Sequence, residues 1–157
     1  MSKKTALVIS AHAADFVWRA GGAIALHQAK GYDVTVVCLS YGERGESAKI
    51  WKEPGVTLEK VKTARRIEAE NAAKALDVHD IQFFDLGDYP LEMDKDAKFK
   101  LVDVIRAVQP SFMMSHSLWD PYNTDHMNTT RNVLECRMIA QAWGHNPHEK
   151  VLGAPQL

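Results

Sequence analysis

Short apolar runs alternate with longer amphipathic stretches along this chain, and the pattern recurs in four units. Residues 5–10, centred on Ala6-Leu7-Val8-Ile9, have the unbroken apolar character of a strand buried on both faces. Residues 16–30 follow as a predicted helix closed by Gly31. Residues 33–39 are rich in β-branched side chains and predict a second strand. A long polar loop, 40–56, leads to a second helix, 58–76. Thr57 is placed to cap it, and Val61, Ala64, Ile67, Ala72 and Ala75 recur in it at near-helical spacing. Residues 81–84 predict a third strand. Asp94 opens a third helix in which Phe99, Val102 and Ile105 share a face before Pro110 stops it. Residues 111–115 predict the fourth strand, and a fourth helix runs from near Thr124 to about Trp143.

Strands that alternate with helices pair in parallel through right-handed crossovers, which predicts an α/β, Rossmann-like three-layer fold with a mainly parallel sheet. With strand order 3-2-1-4, the first and fourth strands lie side by side where the winding reverses, and ligands bind at the carboxyl ends of strands around such a point. Past the last helix, Lys150-Val151-Leu152-Gly153-Ala154-Pro155-Gln156-Leu157 reads as a loop entering another strand. The expectation is a single domain over 1–157, truncated at its C-terminus and lacking further strands. A homo-oligomer that covers the open edge is one consequence to test.

Composition narrows the function classes. With 157 residues, 46% hydrophobic and 25% charged, the chain is an ordinary globular domain, not a disordered or fibrous one. A net charge of -1 leaves no basic face for nucleic acid or anionic membrane, so an anionic substrate must be met by local cations. Only Cys38 and Cys136 are present, one in a predicted strand and one in a predicted helix, which argues for free buried thiols in a reducing compartment. Ser2-Lys3-Lys4 resembles the start of an export signal, but the apolar stretch behind it breaks at Ser10 and His12. No run approaches membrane-spanning length. The expected location is the cytoplasm.

The candidate chemistry sits at two strand ends. Ala11-His12-Ala13-Ala14-Asp15 puts an imidazole and a carboxylate three residues apart after the first strand, and Asp120-Pro121-Tyr122-Asn123-Thr124-Asp125-His126 follows the fourth. His12, Asp15 and His126 can form a three-ligand site for zinc or a similar divalent ion, with an open fourth position. Asp15 can equally cap the first helix. His116 and Asp120 share the second loop and are candidates for orienting ligands or for acid–base work, with loop hydrogen bonding around Pro121 as the plainer alternative. Arg44, in the glycine-containing loop 41–47, and Asp88, after the third strand, fall on the same working edge. That loop lacks the Lys-Ser/Thr pair of a phosphate-binding loop. Arg65 and Arg66 read as a mostly solvated helix face.

These segments resemble the PIG-L/LmbE-like family of zinc-dependent N-deacetylases, whose motifs are A-H-P-D-D-E after the first strand and a later segment ending in D-H. The resemblance extends to the Gly-Glu-Xaa-Gly loop at 42–45 and the Arg-rich second helix. It implies Zn2+ held by His12, Asp15 and His126, in a domain that usually continues beyond this length. Three positions depart from the pattern. Ala14 stands where the deacetylases carry their general base, Phe16 replaces the motif's Glu, and Asn123 stands where a His assists the oxyanion.

Amide hydrolysis takes a proton from water and returns it to the departing amine, a task Ala14 cannot perform. Hydration of an electron-poor double bond has no leaving group, and the charge that develops on an adjacent carbonyl is of the kind a divalent ion stabilises. The resemblance, with its departures, therefore implies a hydratase acting on a small anionic oxo-tricarboxylate. Arg44 and Arg65 are the expected carboxylate clamps, with Arg19 behind them, and Asp88 and Asn123 are further substrate contacts. A deacetylase that uses His116 or Asp120 as its base is the alternative, and a non-catalytic binding module is a third reading.

Overall fold

The computed structural model describes residues 4–148, 150, 151, 153 and 155–157. Four strands, β1 (Lys4–Ser10), β2 (Tyr32–Cys38), β3 (Asp80–Phe83) and β4 (Phe112–Met114), form one sheet in the order β3-β2-β1-β4. All three pairings are parallel, with Leu7 opposite Thr35 on one side and Met113 on the other. This is the predicted α/β topology.

The sheet is buried on both faces, and successive residues of β1 divide between two cores, as the period of two in a strand requires. Leu7 and Ile9 join Val37, Leu39 and Met113 beneath α5 (Lys95–Val108) and α6 (Thr124–Ala140) through Leu101, Val102, Ile105, Val133 and Cys136. Ala6 and Val8 join Val34, Val36 and Cys38 on the opposite face. They pack there against Phe16 of α1 (Asp15–Trp18), Ile24 of α2 (Gly21–Ala29), and Ala69 and Ala73 of α4 (Leu58–Ala75). Three layers result. Cys38 and Cys136 are buried free thiols in different cores.

Two element boundaries differ from the sequence expectation. The helix expected over 16–30 is broken into α1 and α2 around Arg19 and Ala20, where the adjoining Gly21-Gly22 pair has the weakest helix preference of any non-proline residue. The polar loop 40–56 contains one helical turn, α3 (Ala48–Trp51), which the Trp51 indole pins by donating to the Glu43 carbonyl at 2.6 Å. Other ends follow their caps. Thr57 accepts from Lys60 N, Asp94 accepts from Ala97 N, and α6 stops at Ala140, a few residues short of Trp143.

The expected strand beyond residue 150 is partly in view. Gln156 forms a parallel bridge with Phe112, and its carbonyl accepts from Met113 N at 2.8 Å. Leu152 and Ala154, like Ser2 and Lys3, lie outside the described residues. Among the described residues, no helix is long and apolar enough to cross a membrane.

Candidate metal centre

The carboxyl ends of β1 and β4 deliver two clusters to one crevice. Past Ser10 the chain turns, and the Asp15 N–H closes the turn on the His12 carbonyl at 3.2 Å. Asp15 does not cap α1. It is the first helical residue, the capping position is Ala14 with no side-chain bond, and the Asp15 Oδ2 accepts from the His12 N–H at 2.9 Å. From the other side, Asn123 caps α6 by accepting from Asp125 N and His126 N, so the first turn of that helix is fixed where it meets β1.

His12, Asp15, His126 and Glu46 bring one ligand atom each within 4.8 Å of one another. His12 Nδ1 lies 3.1 Å from Asp15 Oδ2 and 3.4 Å from Glu46 Oε1, and His126 Nε2 lies 3.3 Å from Asp15 Oδ1. The three sequence-predicted ligands are thus assembled, and Glu46 is added to them.

The outward nitrogens of both rings are occupied by carboxylates, and carboxylates only accept. His12 donates from Nε2 to Asp125 Oδ2 at 3.3 Å, and His126 donates from Nδ1 to Asp120 Oδ2 at 2.8 Å. That arrangement fixes His12 Nδ1 and His126 Nε2 as the atoms that face the cluster, in the carboxylate–imidazole–metal pattern. His126 Nε2 is buried and has no hydrogen-bond partner among the described residues. A buried nitrogen left without a partner is costly unless something else occupies it. The donor set of two imidazoles with carboxylates suits a divalent ion, zinc among them.

The electrostatics agree. Burial disfavours a charged His12, but hydrogen bonds to Asp15 and Glu46 outweigh it and raise the imidazole to about 10. Burial also opposes the Asp15 carboxylate, yet the hydrogen bond from His12 and the nearby His126 imidazole pull it far below the usual range. His126 is raised as well, against its burial, by Asp15 and Asp120. Without a metal, His12 is the group that holds an extra proton where a cation would sit.

The other sequence-predicted residues divide by placement. His116 stacks on His126 with ring centroids 4.0 Å apart. Its Nε2 accepts from the Ala11 N–H at 2.9 Å, and burial first, with the charges of His126, His12 and Arg19 against the opposing charge of Asp15, lowers it to about 4, a neutral ring. Asp120 is spent on His126. The Asp88 carboxylate, fully buried, accepts from Arg44 N and Gly45 N, and the Arg44 guanidinium donates to the Asp88 carbonyl at 3.0 Å. Arg44 and Asp88 therefore bind each other across the loop. Arg65 reaches the cluster, with Nη2 3.7 Å from Glu46 Oε2. Arg19 lines a cavity of about 290 Å³ together with Asp15, Ser115 and His116. Asn123 is a helix cap.

Sequence reasoning missed Glu46 and Asp125. Asp125 Oδ1 accepts from Leu91 N, and its Oδ2 accepts from Tyr89 N as well as from His12. Its signal was present in the helical spacing, because Asp125, Thr129, Val133, Cys136 and Ala140 form the buried stripe of α6. Glu46 gave a weaker one. It approaches because Gly42, at φ +68, has no Cβ to strike Glu46 Oε2 at 2.9 Å or His12 Cβ at 3.3 Å.

The sequence profile of the PIG-L family, described as GlcNAc-PI de-N-acetylase, matches residues 7–137. The chain belongs to the PIG-L family. It is 60% identical over 155 residues to a 4-oxalmesaconate hydratase of Pseudomonas putida, covering 99% of this chain and 60% of the relative. It superposes with TM-score 0.94 and 60% identity on the crystal structure of GalB, the 4-carboxy-2-hydroxymuconate hydratase of Pseudomonas putida, covering 97% of this chain and 63% of that one. An N,N'-diacetylchitobiose deacetylase from Pyrococcus horikoshii shares the fold at TM-score 0.85 and 23% identity, over 97% of this chain and 58% of its own. The chain therefore spans about 60% of the length of the hydratase it resembles.

Proposed function

We propose that this chain carries the active site of a zinc-dependent hydratase. The reaction adds water across the double bond of 4-oxalomesaconate to give 4-carboxy-4-hydroxy-2-oxoadipate, in the breakdown of gallate and protocatechuate. The observation that carries the proposal is 60% identity to a 4-oxalmesaconate hydratase across 99% of the chain. The site supports it, because the ligand set is complete while Ala14 removes the carboxylate that amide hydrolysis needs.

His12, Asp15 and His126 would hold the zinc. When bound there, it would supply Lewis-acid chemistry, polarising a carbonyl oxygen and acidifying water. The chain's own residues do the rest. Asp125 and Asp120 hold the two imidazoles in the ligating tautomer. Glu46, with its side chain about a quarter exposed at 26%, is the carboxylate at the open side of the cluster and the group placed to move the proton between water and carbon. Arg65 beside Glu46, and Arg19 beside Asp15, are the cations within reach of a tricarboxylate, whereas Arg44 is turned onto Asp88. His116 and Asp120, expected as acid–base groups, contact the Ala11 N–H and His126 Nδ1.

The two buried thiols support a cytoplasmic location. The deciding assay follows the ultraviolet absorbance of 4-oxalomesaconate with metal-stripped and zinc-loaded protein. Zinc-dependent loss of the conjugated signal without acetate release is the expected result. Acetate release from an N-acetylated sugar, with no loss of that signal, would overturn it in favour of deacetylation.

A further inference from the structure

Tyr89 is a bulky residue at the mouth of the crevice, with both its backbone and its ring in contact with the site. Its φ is +47, a left-handed conformation uncommon for a ring-bearing residue. The Asp125 carboxylate holds it there by accepting the Tyr89 N–H at 2.9 Å. The ring then lies parallel to the His12 imidazole, centroids 5.7 Å apart and planes 8° from each other. The ring also covers Gly45, where a Cβ would run into it, with Cζ at 2.8 Å. The neighbouring Asp88 completes a clip, because its carboxylate grips the Gly45 N–H at 2.7 Å. Asp88 therefore holds the backbone of the loop while Tyr89 covers it. The remaining surface of Tyr89, 44% exposed, faces solvent.

We propose that Tyr89 is a positioning residue for the metal centre: seated on Gly45, its ring fixes the plane of His12 and forms one wall of the substrate site. The proposal rests on the reading of His12, Asp15 and His126 as metal ligands. It explains why residue 45 is glycine although its backbone is not in the left-handed region. The space is taken by the ring. A side chain at 45 would lift Tyr89 from His12 and leave the imidazole held on one side only.

The test is a double-mutant cycle read by zinc affinity, measured by competition with a chromophoric chelator on the purified protein. Gly45→Ala and Tyr89→Ala should each weaken zinc about 10-fold, in the range for loss of a group that orients a ligand. The double variant should also lose about 10-fold, not about 100-fold, because both changes remove one contact. Tyr89→Phe should bind zinc within about threefold of the parent, because the ring and not the hydroxyl packs on His12. The visible spectrum of the cobalt-substituted protein should change in Gly45→Ala and stay unchanged in Tyr89→Phe. Thermal unfolding with chelator present checks folding, and Tyr89→Leu replaces Tyr89→Ala if the latter does not fold. Independent, multiplying losses would overturn the proposal, as would zinc affinity unchanged by Tyr89→Ala or Tyr89→Leu. A parent protein that binds no divalent metal would overturn the ligand assignment itself and the role of Tyr89 with it.

Discussion

Asp125→Asn isolates the role of a buried carboxylate with almost no change in shape. Asp125 is fully buried and accepts three hydrogen bonds, from Tyr89 N at 2.9 Å, Leu91 N at 3.0 Å and His12 Nε2 at 3.3 Å. An asparagine has one accepting oxygen. Its best orientation keeps that oxygen on Tyr89 N and His12 Nε2 and turns its NH2 onto the Leu91 N–H, leaving a buried donor without an acceptor at a cost of about 1–3 kcal/mol. The two bonds that remain fall from charge-assisted to neutral, a loss of roughly 1 kcal/mol each. Release of a buried anion offsets part of this, so the net expectation is about 2–3 kcal/mol. For a chain of this size each kcal/mol shifts Tm by about 2–4 °C, giving a fall of about 4–12 °C with chelator present. Zinc affinity should fall about 10–100-fold in addition, because His12 loses the partner that fixes its tautomer. Thermal unfolding followed by circular dichroism and chelator competition read the two effects separately. A fall in Tm below about 2 °C together with an unchanged zinc affinity would refute the accounting.

Metal binding should release protons at neutral pH. His12 stands at about 10 in the metal-free protein and must be neutral to ligate, so at least one proton leaves per ion at pH 7, measurable by calorimetry in buffers of different ionisation enthalpy. The sign for stability is opposite. A histidine raised above its ordinary 6.5 contributes fully below that value, so metal-free protein should lose stability as pH rises from 6.5 through about 10, while zinc binds more tightly; a flat denaturation midpoint across that window would count against the raised value. Phe16→Ala should cost about 3–5 kcal/mol in urea unfolding, since the ring is 1% exposed between α1 and the sheet; a loss under about 1 kcal/mol would remove it from the core. On the proposed hydratase reading, Arg19→Ala should raise the KM for 4-oxalomesaconate about 10-fold with kcat little changed, and Arg44→Ala should instead lower Tm by loosening the loop on Asp88; the reverse pattern would return the carboxylate clamp to Arg44.

The fold was legible because its signals are local. Thr57 and Asp94 announced helix starts through side-chain oxygens that reach the backbone three residues on, and both make those bonds. The apolar run at Ala6-Leu7-Val8-Ile9 required burial on both faces, hence helices on both sides of the sheet. The helix break at Ala20 was missed although Gly21-Gly22 stood in view, because the apolar spacing across it suggested one element. The cluster of His12, Asp15 and His126 could be read from residue type at strand ends plus the winding reversal, which brings β1 and β4 together whatever the loops do.

Side-chain direction was another matter, since it depends on what each group meets across the fold. Arg44 and Asp88 looked like substrate contacts from their edge position, but each finds its partner in the other, 44 residues along the chain. Asn123 looked like a site residue and is consumed by the first turn of α6. Glu46 and Tyr89 gained their places only through Gly42 and Gly45, whose missing side chains allow the loop and the ring to close on His12. Residue type and order thus determined the sheet, its two cores and the cluster of candidate ligands, because backbone periodicity and strand-end topology are properties of the sequence. Long-range contacts of a few ångströms decided which carboxylate orients which imidazole and which loop group each arginine meets. Such contacts are set by packing between segments that the sequence lists far apart.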